Sequence, residues 1–239
     1  MAAEQEKQQV ENPYAINFSA EDGFTLQGNY YAGELEGAGA LLLHDCNHTR
    51  KSYELLAKLL ASEGIHTLTM DFRGYGESIS DEFSRHNIKR RTRDIVEYQS
   101  ELAKITAYWP ADVISAYQFL QAKTTRNQKV SVVAMGCAAE QAVALAEKIH
   151  INNFVMISPQ MGYIEKERFK NLFDMPVYFT SSAHNIEAYK TATELFEWNG
   201  DKLSKFHIFK GSRSGHALLN GDNYLARDIA SWLKIRSEK

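Results

Sequence analysis

A strand that turns through small residues directly into a helix limits the folds open to this chain more than any other segment. Val130-Ser131-Val132-Val133 reads as a buried strand, and Ala134-Met135-Gly136-Cys137-Ala138-Ala139 turns out of it. Ala142, Leu145, Ala146 and Ile149 follow at helical spacing. The small residues flanking the turn let the helix lie close against the strand it leaves. Gly136 stands at the tip, where a strained turn with positive φ costs glycine little.

The rest of the chain repeats this alternation. Ala15–Phe18 and Thr25–Tyr31 read as a hairpin through Asp22-Gly23. Ala40–His44 is a continuous apolar run, as a buried parallel strand requires. Lys51–Glu63 has helical periodicity and stops at Gly64, and Ile65–Met70 is the next strand. Residues 82–107 are charged and helical in pattern, and Pro110 opens a further helix. Phe154–Ile157, Val177–Thr180 and Phe206–Phe209 are strands, and Leu218–Ile235 is a closing helix. The pattern predicts a mostly parallel twisted sheet of about eight strands, with an N-terminal hairpin and helices on both faces. Residues 13–239 are expected to form a single domain behind a polar tail, 1–12.

A net charge of −3 argues for neither nucleic acid nor an anionic membrane as partner, and no nucleic acid is expected. No apolar stretch reaches the length of a membrane span, and Met1–Asn12 lacks the apolar core of a signal peptide. A soluble protein is expected: cytoplasmic or, had a signal been removed, periplasmic or secreted. Two cysteines allow one bridge but no disulfide framework.

Four segments together resemble the α/β-hydrolase fold. Leu41-Leu42-Leu43-His44-Asp45-Cys46 resembles the His-Gly turn after the third strand. Asp71-Phe72-Arg73-Gly74-Tyr75-Gly76-Glu77-Ser78 is similar to the D-x-R-G-x-G-x-S stretch, and Gly215-His216-Ala217 to the motif that carries the catalytic histidine. The turn at Gly136 resembles the nucleophile elbow, G-x-S-x-G. Trp109-Pro110-Ala111-Asp112 and Gly136-Cys137-Ala138 are similar to dienelactone hydrolase-like proteins, some of which carry an S-C-G elbow after a W-P-x-D helix start. The match covers roughly residues 15–236 and is specific for fold rather than substrate.

Laid on the elbow, the serine position is Gly136, which has no nucleophile. A register shifted by one makes Cys137 the nucleophile, but it puts Met135 and Glu140 where small residues are needed, so Gly136 fits better. The resemblance implies His216 as general base; without a nucleophile it is equally a retained histidine at a loop–helix junction. The acid is expected after the penultimate strand, where Thr180–Asn185 contains no carboxylate. Asn185 could orient an imidazole but could not stabilise its charge. Asp174 and Glu165 are substitute acids, each more readily a surface carboxylate.

The resemblance assigns the oxyanion-hole N–H groups to Cys46 and Cys137, the only cysteines in the chain. These residues could be small free thiols filling a tight site, a bridge, or ligands joined by His44, His48 or His216 around a metal. Free thiols are expected in a reduced preparation, with Cα atoms within roughly 8 Å. No cofactor or metal is assigned. Asp71 and Arg73 read as structural, and the basic run Arg85–Arg93 as a solvated helix face. Tyr98, Tyr108, Trp109, Tyr163, Phe169 and Phe173 are candidates to roof a pocket, each more often core.

Three functional readings follow. The first is a non-hydrolytic member of the fold: a pseudoenzyme or a binder of a small apolar or ester-like ligand. The second is an ester or lactone hydrolase using Cys137 as nucleophile and His216 as base. The third is a redox- or metal-responsive interaction protein built on Cys46 and Cys137. No protein partner is named by the sequence.

Overall fold

The computed structural model describes residues 14–124, 130–172, 175–221 and 223–237. The tail 1–12, Phe173 and Asp174 lie outside the described residues. Eight strands form one sheet: β1 (Ala15–Ser19), β2 (Thr25–Tyr31), β3 (Gly39–Leu43), β4 (His66–Met70), β5 (Val130–Met135), β6 (Phe154–Ile157), β7 (Val177–Ser182) and β8 (Lys205–Phe209). Their spatial order is β1-β2-β4-β3-β5-β6-β7-β8. The hairpin β1–β2 and the β2–β4 pair are antiparallel, and every later pair is parallel. This is the α/β-hydrolase fold.

Nine helices are described: α1 (Glu54–Ser62), α2 (Arg85–Arg91), α3 (Ile95–Thr106), α4 (Trp109–Gln121), α5 (Ala138–Ala146), α6 (Tyr163–Lys170), α7 (Ile186–Asn199), α8 (Gly215–Leu219) and α9 (Asn223–Ser237). The period-two alternation of the buried strands divides the core. Leu41, Leu43, Val132 and Ala134 face α4 and α5, whereas Ala40, Leu42, Val133 and Met135 face α1 and α9.

Three segments differ from the sequence expectation. The helix expected from Lys51 opens as a 3-10 turn, Arg50–Tyr53, before α1. The charged stretch 82–107 divides into α2 and α3, because Ser84 and Asp94 each cap a separate start. Their side chains accept from the N–H groups of Asn87 and Glu97. The closing helix also divides: Asn220 ends α8, its amide tied to the Ser52 carbonyl and to His216.

Asp71 and Arg73 are structural, as expected. Asp71 accepts from the Arg50 and Glu77 N–H groups and pairs with the Arg50 guanidinium. Arg73 is buried, paired with Asp112 at 2.7 Å and Asp22 at 2.6 Å, and lies between the Phe24 and Tyr108 rings. Trp109 is therefore not a pocket roof: it is buried and donates to the Arg73 carbonyl at 3.0 Å. The Trp-Pro-x-Asp helix start thus anchors the Asp-x-Arg-Gly turn through two side chains.

Candidate functional site

The parallel strands bring their carboxyl ends to one edge of the sheet. Chain connections leave β3 toward β4 and β5 toward β6, so the direction reverses between β3 and β5. Ligands of open α/β sheets bind in the crevice at such a switch point. The loops Asp45–His48 and Gly136–Cys137 flank it, with Ser158, Gln160 and Gly215-His216 beside them.

Gly136 has φ of +56°, and Cys137 opens α5 with helical angles, φ −65° and ψ −20°. This is the geometry expected for Gly136 at the apex. A Cβ on Gly136 would lie 2.9 Å from Asp45 Cβ, so the Asp45 side chain occupies the space above the turn. Asp45 also approaches Gly215, where a Cβ would lie 2.7 Å from Asp45 Oδ2. Both glycines let the aspartate settle between the two loops.

Sequence reasoning missed what Asp45 does. Its Oδ1 accepts from the Asn47 N–H at 2.7 Å and pairs with His48 Nδ1 at 2.8 Å. The His48 ring lies 4.9 Å from that of His216. The carboxylate–imidazole pair of this crevice is therefore Asp45–His48, both from the loop after β3. The i, i+3 spacing in His44-Asp45-Cys46-Asn47-His48 carried the signal.

His216 bonds elsewhere. Asn220 Nδ2 donates to the Ser52 carbonyl at 2.9 Å and to the His216 carbonyl at 3.1 Å, and lies 2.9 Å from His216 Nδ1. A nitrogen facing two carbonyls is a donor, so Nδ1 accepts and the ring proton sits on Nε2. A triad base needs the opposite tautomer, with Nδ1–H on a carboxylate and Nε2 free. Among the described residues no hydrogen bond joins the Asn185 side chain to His216; Asn185 instead stands at the N-terminus of α7. Gly215 is fixed by Ser158, whose Oγ accepts its N–H at 3.2 Å. Ser158 is itself fully buried with φ of +49°.

Cys46 and Cys137 are joined in a disulfide with Cα atoms 6.0 Å apart. The expected proximity is met, and the expectation of two free thiols gives way to a bridge. The cause is register: β3 and β5 are adjacent and in step, so the residues just past their ends meet. Cys137 Sγ is consequently no thiolate in this form. Neither backbone N–H of the pair has an acceptor among the described residues.

His44 is fully buried, its Nδ1 2.7 Å from the Asp45 carbonyl and its Nε2 accepting the Phe72 N–H at 3.1 Å. Burial holds its pKa below the ordinary histidine value. With both ring nitrogens engaged it is no metal ligand, and no cluster of three or more His, Cys, Asp or Glu side chains among the described residues is arranged to hold one. Of the remaining candidates, Phe169 is core and Tyr163 is exposed. Glu165 makes no hydrogen bond to His216 among the described residues. Tyr108 lies over Arg73. Tyr98 accepts from Arg85 Nε at 2.8 Å. Arg85 also reaches the Cys46 carbonyl, so one residue of the basic run turns inward.

No protein-family model and no curated protein matches the sequence. Solved structures do match in fold. DcsB, solved with its substrate analogue, has a TM-score of 0.72 at 11% identity, covering 94% of this chain and 99% of that one. A cold-adapted esterase from an Arctic intertidal metagenomic library has a TM-score of 0.66 at 18% identity, covering 93% of each chain. The Pyrococcus furiosus esterase Pf2001 has a TM-score of 0.67 at 14% identity, covering 93% and 90%. No described helix is long and apolar enough to cross a membrane.

Proposed function

We propose that this chain is a single-domain, non-hydrolytic member of its fold: a degraded relative of dienelactone hydrolase-like enzymes that binds a small ligand. The observation that carries this reading is the Asp45 side chain above Gly136. The nucleophile position has no side chain, and the space a Cβ would take there is closed by Asp45 Cβ, whose carboxylate is held on His48. The His216 tautomer and the lack, among the described residues, of a hydrogen bond between the Asn185 side chain and His216 support the same reading. A bound substrate analogue in the structural neighbour DcsB supports a ligand-binding crevice in this chain.

Turnover of p-nitrophenyl acetate and p-nitrophenyl butyrate tests this. The expected result is no rate above a buffer control. Turnover like that of an ordinary esterase, lost in His216→Ala or His48→Ala, overturns the reading. A rate that emerges only after reduction of the disulfide and vanishes in Cys137→Ala would instead favour the cysteine hydrolase.

The disulfide favours one second reading, a redox-responsive protein. The bridge ties the two loops of the crevice, so its reduction frees the Asp45 loop from the start of α5. Ligand affinity that differs between oxidised and reduced protein, but not in Cys46→Ala, supports that reading.

A further inference from the structure

A second cavity opens beside the crevice, under the α2–α3 pair. It measures about 750 Å³, and its wall includes Tyr75, Ile79, Arg85, Lys89, Arg93 and Ile95. That volume falls in the range of small-molecule sites. Gly136, Asp45 and His216 do not line it. Arg85 links it to the crevice by donating to the Cys46 carbonyl.

The wall has two chemical halves. One half is apolar: Ile79 is 52% exposed and Ile95 is 64% exposed, large side chains left open on the cavity side of the molecule. The buried Tyr75 ring continues it. The other half is cationic. Lys89 and the Arg93 guanidinium have no carboxylate partner among the described residues. Arg85 is held by the Tyr98 hydroxyl and by a carbonyl, and its guanidinium lies 5.2 Å from the Tyr75 ring centre, so it too retains its full charge. The one carboxylate in the wall, Asp94, is occupied in capping α3 through the Glu97 N–H. The buried or half-buried Arg50, Arg73 and Arg168 are by contrast paired, with Asp71, Asp112 and Glu147. In this wall, cations without a carboxylate partner stand beside exposed apolar side chains.

The geometry points to a site for an amphipathic anion: a carboxylate or phosphate head on an apolar body. The cations supply charge-assisted hydrogen bonds to the head. The isoleucines and Tyr75 cover the body, which gains by leaving water. An amine of the same shape meets like charge and is rejected. This inference rests on the ligand-binding reading and names the class of ligand, at a cavity apart from Gly136.

Calorimetric titration of the full chain at low salt tests it, with decanoate, decyl phosphate, decanol, decylamine and acetate as probes below their micelle concentrations. At least one of the two long-chain anions binds, and their comparison identifies the preferred head. Decanol binds about tenfold more weakly or worse, acetate likewise, and decylamine does not bind. Lys89→Ala/Arg93→Ala, both at exposed positions, weakens the anion about 10- to 100-fold and leaves decanol within about twofold. Ile95→Asp weakens both. Failure of both long-chain anions to bind, an amine that binds as tightly as they do, or a double variant with unchanged anion affinity overturns the proposal. Hydrolysis of p-nitrophenyl esters would overturn the non-hydrolytic reading and leave this cavity's ligand class standing, so the two failures are distinguishable.

Discussion

The Asp45 side chain lies over Gly136 so closely that a Cβ on the glycine would come 2.9 Å from Asp45 Cβ. Gly136 also has φ of +56°. Two independent constraints, one steric and one conformational, therefore hold glycine at this turn. Gly136→Ser is expected to lose about 2–4 kcal/mol of stability and to gain no esterase activity. Asp45→Gly in the same chain removes the overlap but not the backbone strain, and should return part of the loss. Urea denaturation of the single and double variants measures this. A serine variant as stable as the parent would show that Asp45 does not hold this space.

Asp112→Ala is expected to cost about 3–5 kcal/mol, because Arg73 would be left buried with a charge no longer matched from within. Asp112 is fully buried, whereas Asp22, the other partner, is 42% exposed. Asp22→Ala should therefore cost clearly less. Denaturation midpoints compared at equal slope decide the order. Equal losses would mean that burial does not set the strength of this pair.

Stability should fall as pH drops below about 6.5, the ordinary histidine value. Burial lowers the His44 pKa in the folded state. The unfolded chain then binds the proton first, so the stabilisation is complete above the unfolded value and is lost as pH falls through the folded one. His44→Gln lacks this titration and should show a flatter melting temperature between pH 7 and pH 5. An identical slope in the two proteins would assign the acid loss elsewhere.

Removing the disulfide as Cys46→Ala/Cys137→Ala is expected to cost about 2–4 kcal/mol, since the bridge spans a long loop. The bonded residues are separated by 91 positions in sequence. Reductant should lower the melting temperature of the parent and leave that of the double variant unchanged. A parent insensitive to reductant would mean that the bridge is absent in solution.

Local pattern carried the fold. The alternation of apolar strands with helices of 3.6-residue periodicity, the Asp22-Gly23 turn and the small residues around Gly136 are all properties of neighbouring residues. They dictated an eight-stranded sheet with covered faces, and the structure has one. Helix ends were less legible, because Ser84 and Asp94 cap helices through contacts that periodicity does not register. Glycine at the turn was also evident from the chain alone, since no alignment of the strand and helix places another residue there without bulk beside it.

The site needed three dimensions. Asp45 reaches Gly136 and Gly215, Asn220 joins Ser52 to His216, Ser158 fixes Gly215, and Arg85 reaches Cys46. All but the Asn220–His216 contact span segments far apart in sequence, and they depend on the register of parallel strands, which delivers their ends to one edge. The residue types were visible beforehand, but their partners were not. A hydrogen bond of 2.8 Å between Asp45 and His48 depends on the path of a loop that local propensity leaves undetermined. The sequence by itself thus determined which backbone this chain builds and that no serine stands at the turn. Only the packing of one loop against another decided that Asp45 closes over that place, that the two cysteines meet, and which nitrogen of His216 keeps its proton.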